Sequence, residues 1–245
     1  MGLSVRHVMA VIASGSLVFA MTTPARADEP PSSVLAVLAA VSESADDPAE
    51  AVLDDVADVD TRVERTSAID ERVGATDIVI PTDPRDDISL ALKHVGIDIS
   101  VGLPFSDQAQ PATVEAEGIV SYDNGNGSTT VPVVKEDGSV QITTIIDNSD
   151  APARYAYTIA LPEGGYLEQL EAGMVVIRDA EGAFHGGVLP AWAKDADGSD
   201  VATHYEIDGG VLTQVIEHDA TTTFPVVADP AVGGGLLAGY SRPHR

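Results

Sequence analysis

From Thr76 onward the chain keeps a two-residue rhythm. Apolar and polar side chains alternate in short runs, and each run ends in a turn-forming cluster. A period of two sends successive side chains to opposite faces of an extended strand, so this rhythm excludes a helical bundle for most of the chain. Candidate strands include Thr76–Pro81, Ile88–Lys93, Gly96–Gly102, Thr129–Val134, Val140–Ile146, Arg154–Leu161, Thr203–Asp208, Leu212–His218 and Thr222–Val227. Asn124-Gly125-Asn126-Gly127, Glu136-Asp137-Gly138, Asp197-Gly198 and Asp208-Gly209-Gly210 are the turn signals between them. About a dozen short strands at roughly ten-residue spacing predict a mainly β protein, its antiparallel sheets folded as a sandwich or as two small sandwiches. Pro225 inside the final run predicts a sheet edge there, because proline cannot donate to a ladder.

The material for a core is aliphatic. Aromatic residues make up 4% of the chain and cysteine is absent, so packing of Val, Ile, Leu and Ala must replace any disulfide framework.

The N-terminal residues follow another logic. Arg6 and His7 precede an apolar run, Val8–Ala20, and Ala25-x-Ala27 supplies the small-residue pattern of a signal-peptidase site. That run is shorter than the roughly 20 residues that span a bilayer. The expectation is a signal peptide over 1–27, cleavage before Asp28, a secreted (extracellular or cell-surface) product and no stable membrane insertion afterwards. Losing 27 of 245 residues leaves 218, and losing Arg6 and Arg26 moves the net charge from −26 to −28.

Residues 28–74 read as an acidic arm, helical or disordered. Asp47 can cap a helix with Pro48 at its first position and Glu50 three residues after the cap, and Val52, Val56, Val59 and Val63 follow at helical spacing. Val34, Leu35, Val37, Leu38 and Val41 make a short apolar helix candidate, but the spacing favours Pro48–Arg65, and at most that helix is expected to be ordered. Between Asp28 and Asp87 seventeen acidic residues face four basic ones. Two β stretches follow, 75–150 and 151–230, and then a tail, 231–245, expected to be disordered. The acidity argues against nucleic acid and anionic lipid as partners, since both are polyanions. An extracellular protein or a cell-wall component is the partner class left open.

Four short pieces carry a likeness: 152-PARYAYTIALPEG-164, 190-PAWAKDADG-198, 203-THY-205 and 224-FPVVADP-230. Together they resemble a group of uncharacterised secreted proteins of high-GC Gram-positive bacteria (actinobacteria). That group shares a β-module closing in Tyr/Phe-Pro-Val-Val-Ala-Asp-Pro. The resemblance covers roughly Ala151 to Pro230 and implies a β-module of secreted proteins; the alternation in Tyr155–Leu161 and Leu212–Ile216 predicts that this region folds as one β-unit ending at Val227. It implies no catalytic residues.

The sharpest chemical candidate is 195-DADGSD-200. Asp195, Asp197 and Asp200, with Glu206 further on, offer carboxylates in the manner of a calcium loop. Asp200 stands where such a loop needs its glycine, and the competing reading is a hairpin turn. Calcium is the one cofactor nominated. Trp192, His204 and Tyr205 are the candidate ligand contacts, with Trp192 either a ligand platform or a core residue beside the Thr203–Asp208 strand. The mature part holds no Gly-x-Ser-x-Gly and no His-Glu-x-x-His. Three classes stay open: a non-enzymatic module for binding, display or carriage of a passenger; a secreted hydrolase using acidic residues and a histidine; and an acidic precursor whose arm masks a partner.

Overall fold

The computed structural model describes residues 33–45, 47–63 and 66–234. The expected signal peptide falls outside them, as do residues 235–245. Among the described residues there are one helix and seventeen strands, all paired antiparallel in two sheets.

The first sheet runs β1 (Ser67–Val73), β2 (Thr76–Pro81), β3 (Ile88–Leu92), β4 (Ile97–Gly102), β9 (Arg154–Ile159), β15 (Val211–Ile216) and β14 (Thr203–Asp208). The second runs β10 (Tyr166–Gln169), β11 (Val175–Arg178), β12 (Phe184–Val188), β17 (Ala231–Gly233), β8 (Val140–Ile146), β7 (Ser128–Val134), β6 (Ile119–Asp123) and β5 (Thr113–Ala116). In that sheet β16 (Val226–Asp229) lies between β8 and β13 (Trp192–Lys194). Strands from both sides of residue 150 share both sheets: β9 pairs with β4, and β16 and β17 pair with β8. Residue 150 therefore does not separate two sandwiches.

The alternation of β9 does what it predicts. Tyr155, Tyr157 and Ile159 are buried between the sheets, and Ala156 and Thr158 are exposed. They join Ile78, Ile80, Leu90, Ile99, Ile142 and Val226 in the main apolar cluster. The sheets meet closely at Gly186, where a Cβ would stand 2.5 Å from Ile99 Cδ1 and where φ is +131°, a conformation that favours glycine.

β8 is buried along its whole length, which one sandwich interface cannot explain. Val140, Ile142 and Ile146 point into the main cluster. Ile145 belongs to a second cluster on the outer face of the sheet, with Ile119, Val131, Val133 and Val227. Helix α1 (Ser33–Glu43) covers that face, burying Leu38 and Val41 there.

Three expectations are corrected here. The cap at Asp47 forms, with Ala49 N donating to Asp47 Oδ1 at 2.9 Å and Asp47 N donating to Glu50 Oε2 at 3.4 Å, yet no helix follows over the described residues 48–63. Residues 48–55 make turns instead, and Val56 bridges to Lys135 on the sheet. The carbonyls a helix would need are taken by the lysine: Lys135 Nζ donates to Val52 O at 2.6 Å and to Asp54 O at 2.8 Å. Val52 and Val59 are buried by docking, so their spacing reflects contact with a sheet. Second, β1 extends the β region back to Ser67, inside the expected arm. Third, the last run does not pair over Thr222–Val227. It turns at a cis Phe224–Pro225 bond, pairs from Val226, and goes on past Pro230 into β17, whose Val232 is 1% exposed. Pro225 precedes the paired residues, so it marks no edge.

Candidate functional site

The three candidate ligand contacts face three different environments. His204 is exposed on β14, its Nε2 3.8 Å from Glu206 Oε1. Tyr205 points the other way and is buried, its hydroxyl donating to the Leu189 carbonyl at 3.1 Å and lying 3.4 Å from the Asp229 carbonyl. Trp192, expected in the core beside β14, is half-buried on the outer side with the second cluster, while its neighbour Ala193 faces the main core. β13 pairs with β16, so the pleat sends the smaller residue inward. The indole Nε1 is buried without a hydrogen-bond partner among the described residues.

The four candidate carboxylates are also apart in their duties. Asp195 closes its own turn, Oδ1 accepting from Asp197 N at 3.0 Å and Ser199 N at 2.9 Å. Asp197 accepts from Thr223 Oγ1 at 2.9 Å, and Asp200 from Lys194 Nζ at 2.8 Å. Glu206 sits away on β14, paired with Arg154. Among the described residues no three His, Asp or Glu side chains are placed to hold a metal ion together. The DADGSD turn instead packs against the end of α1. Gly198 has φ +77°, and a Cβ there would meet Ser44 Cβ and Oγ at 3.0 Å.

The polar centre of the molecule lies elsewhere, beneath residues 47–56, a strap crossing the end of β8. Asp229, on β16, is 1% exposed. Gln141 Nε2 donates to Asp229 Oδ2 at 2.6 Å and to the Ala49 carbonyl at 2.8 Å, tying the strap to the last strands. Lys194 Nζ adds an ion pair with Glu50 Oε2 at 3.4 Å. Burial raises the Asp229 carboxyl well above the ordinary range, and Glu50 adds to this. The Gln141 hydrogen bond and the Lys135 charge oppose it. Burial pushes Lys135 down, against the attraction of Asp229, Asp55, Asp54 and Asp137. A cleft of about 540 Å³ opens at this end, lined by Ala49, Asp54, Lys135, Asp137, Gln141 and Leu189, among others.

None of this centre was nominated from sequence. The available signal was Asp229 itself, an acid at the end of the apolar run Val226–Val227–Ala228. A carboxyl there must be either solvated or neutralised.

The Asp229 carboxyl carries a pH prediction. Its folded-state pKa is raised, so its contribution to stability is fully present below the unfolded carboxylate range, near 4. It is lost as pH rises through the folded value, because the unfolded chain then ionises freely while the folded one must keep the proton or bury a charge. Asp229→Asn should flatten the decline in melting temperature between mildly acidic and alkaline pH. A variant that declines as steeply as wild type would show that other groups cause the slope.

No family model, no curated protein and no solved structure matches this chain. No helix among the described residues is long and apolar enough to cross a membrane.

Proposed function

We propose that the protein is an exported, non-enzymatic β-sandwich that binds or displays a partner outside the cell, with the cleft beside the strap as its contact surface. The observation that carries this reading is how the reactive side chains are employed. The filled interior leaves His204 on the outer surface, and Asp195, Asp197, Asp200 and Glu206 are spent on turns and ion pairs. A hydrolase would need a histidine and acids converging on one cleft. The resemblance to secreted actinobacterial proteins and the signal-like residues 1–27 support export. With a net charge of −26 the partner is a protein or cell-wall component, not a polyanion.

The test is affinity capture from native culture medium with mass-spectrometric identification. It is paired with an Asp54→Lys/Asp137→Lys variant and N-terminal sequencing of the exported form. The reading expects a mature start at Asp28 and a partner lost from the charge-reversed cleft. Turnover of a substrate that disappears in His204→Ala would overturn it in favour of a hydrolase. A second reading, an acidic precursor whose arm masks a partner, draws on one observation: α1 lies on the outer face of the sheet, over Ile145 and Val227. Removing residues 28–62 and gaining partner binding would support that reading.

A further inference from the structure

The hairpin loop between β6 and β7 holds two Asn–Gly dipeptides side by side, and the fold treats them differently. Asn124 is fully buried. Its Nδ2 donates to Ser128 Oγ at 3.0 Å and Thr130 Oγ1 at 3.1 Å, and the next N–H, that of Gly125, donates to Asp123 Oδ1 at 2.8 Å. Both the amide and the backbone nitrogen that could attack it are occupied. Asn126 is the reverse. Its Oδ1 accepts two hydrogen bonds, from Ser128 N at 3.1 Å and Ser128 Oγ at 2.7 Å. Those bonds fold the side chain over the Gly127 peptide and draw electron density away from Cγ. Its Nδ2 is buried with no acceptor, and the Gly127 N–H makes no hydrogen bond among the described residues.

We infer that Asn126–Gly127 is a self-modification site, at which the folded protein converts Asn126 to an acid through a cyclic imide while Asn124 is protected. Gly127 N attacks Asn126 Cγ, the Cγ–Nδ2 bond breaks, and the amide nitrogen leaves as ammonia with the proton lost from Gly127. Water then opens the imide. Opening at Cγ gives aspartate. Opening at the backbone carbonyl gives the isomer whose main chain runs through the side chain. Nothing is oxidised, and water is the only co-reactant.

The product suits the site better than the amide does. A carboxylate accepts the same two Ser128 donors with charge assistance, and the orphan donor is gone. The isomer instead adds a methylene to the main chain of the loop. Asp147 N donates to Gly127 O at 2.9 Å, so that change is felt where β8 ends. This inference does not rest on the proposed function.

The test is peptide mapping of the whole protein after incubation at mildly alkaline pH, folded and in urea, with fragmentation that separates the two asparagines. In the folded protein, conversion at Asn126 should exceed that at Asn124 by roughly tenfold or more, the ratio that about 1.4 kcal/mol of barrier produces. In urea the two should converge, since both are Asn–Gly. Asn126→Gln, which keeps an amide but cannot form the five-membered ring, should stop the acidic variant from accumulating. Equal rates in the folded protein, faster conversion at Asn124, or conversion at Asn126 only after unfolding would each overturn the inference.

Discussion

A chain ending at Pro230 should lose its cooperative melting transition, while one ending at Gly234 keeps every described strand and serves as the control. β17 is only three residues, yet it lies between β12 and β8 and joins the β10–β11–β12 ribbon to the rest of its sheet. Removing it uncovers the Val232 site, worth about 1.5–3 kcal/mol of apolar burial. It also strands ladder groups on the buried residues Val140, Gln141, Gly187 and Val188, and leaves the half-buried Leu189 N without Ala231 O, to which it donates at 2.9 Å. Each orphaned group costs about 1–3 kcal/mol. Together these reach roughly 5 kcal/mol or more, the lower end of the stability of a typical domain, about 5–15 kcal/mol. Equal melting temperatures for the two chains would show that β17 adds nothing.

The second large effect is expected at Leu38→Ala. Leu38 is fully buried where α1 meets the outer face of the sheet. Its truncation should cost about 2–5 kcal/mol, as for a leucine in any core. The site also has a specific consequence. If α1 and the strap dock as a unit, the variant should become far more sensitive to trypsin after Arg62 than wild type at temperatures where the sandwich is still folded. Equal sensitivity of the two proteins would mean that the arm is loose in both.

Sheet residues were legible because burial on one face leaves a two-residue signature, as at Tyr155, Tyr157 and Ile159. Turns were legible because Gly138, Gly198 and Gly209 adopt positive φ, and glycine is the residue that tolerates it. The strap was not legible. Val52, Val56 and Val59 imitate a helix stripe, whereas the carbonyls of Val52 and Asp54 accept from Lys135, more than 70 residues beyond Val59, and Val52 and Val59 are buried by docking. β17 was hidden by Gly233 and the glycines after it, which suggest a tail and carry little strand propensity, although Ala231 and Val232 pair with β8 and Val232 and Gly233 pair with β12. The polar centre was hidden for a related reason. Gln141, Lys135 and Asp229 are ordinary residues until the fold stacks them beneath the carbonyls of Ala49 and Val52.

The arrangement around β8 has a kinetic consequence. One face of β8 meets α1 and the strap, residues 47–56, and one edge meets β16 and β17, so the earliest and latest parts of the described chain converge on a single strand. Loops that long are slow to close, and their closure comes before the contacts that reward it. A nascent chain lacking its last strands cannot seal that sheet and should stay open while it is being made. If the chain is exported as proposed, such delayed closure would suit passage through a membrane pore in an extended form, with folding waiting for the last described strands. Refolding after dilution from urea should therefore be slow in the full-length chain. Chains shortened before Val226 should show no native-like phase at all.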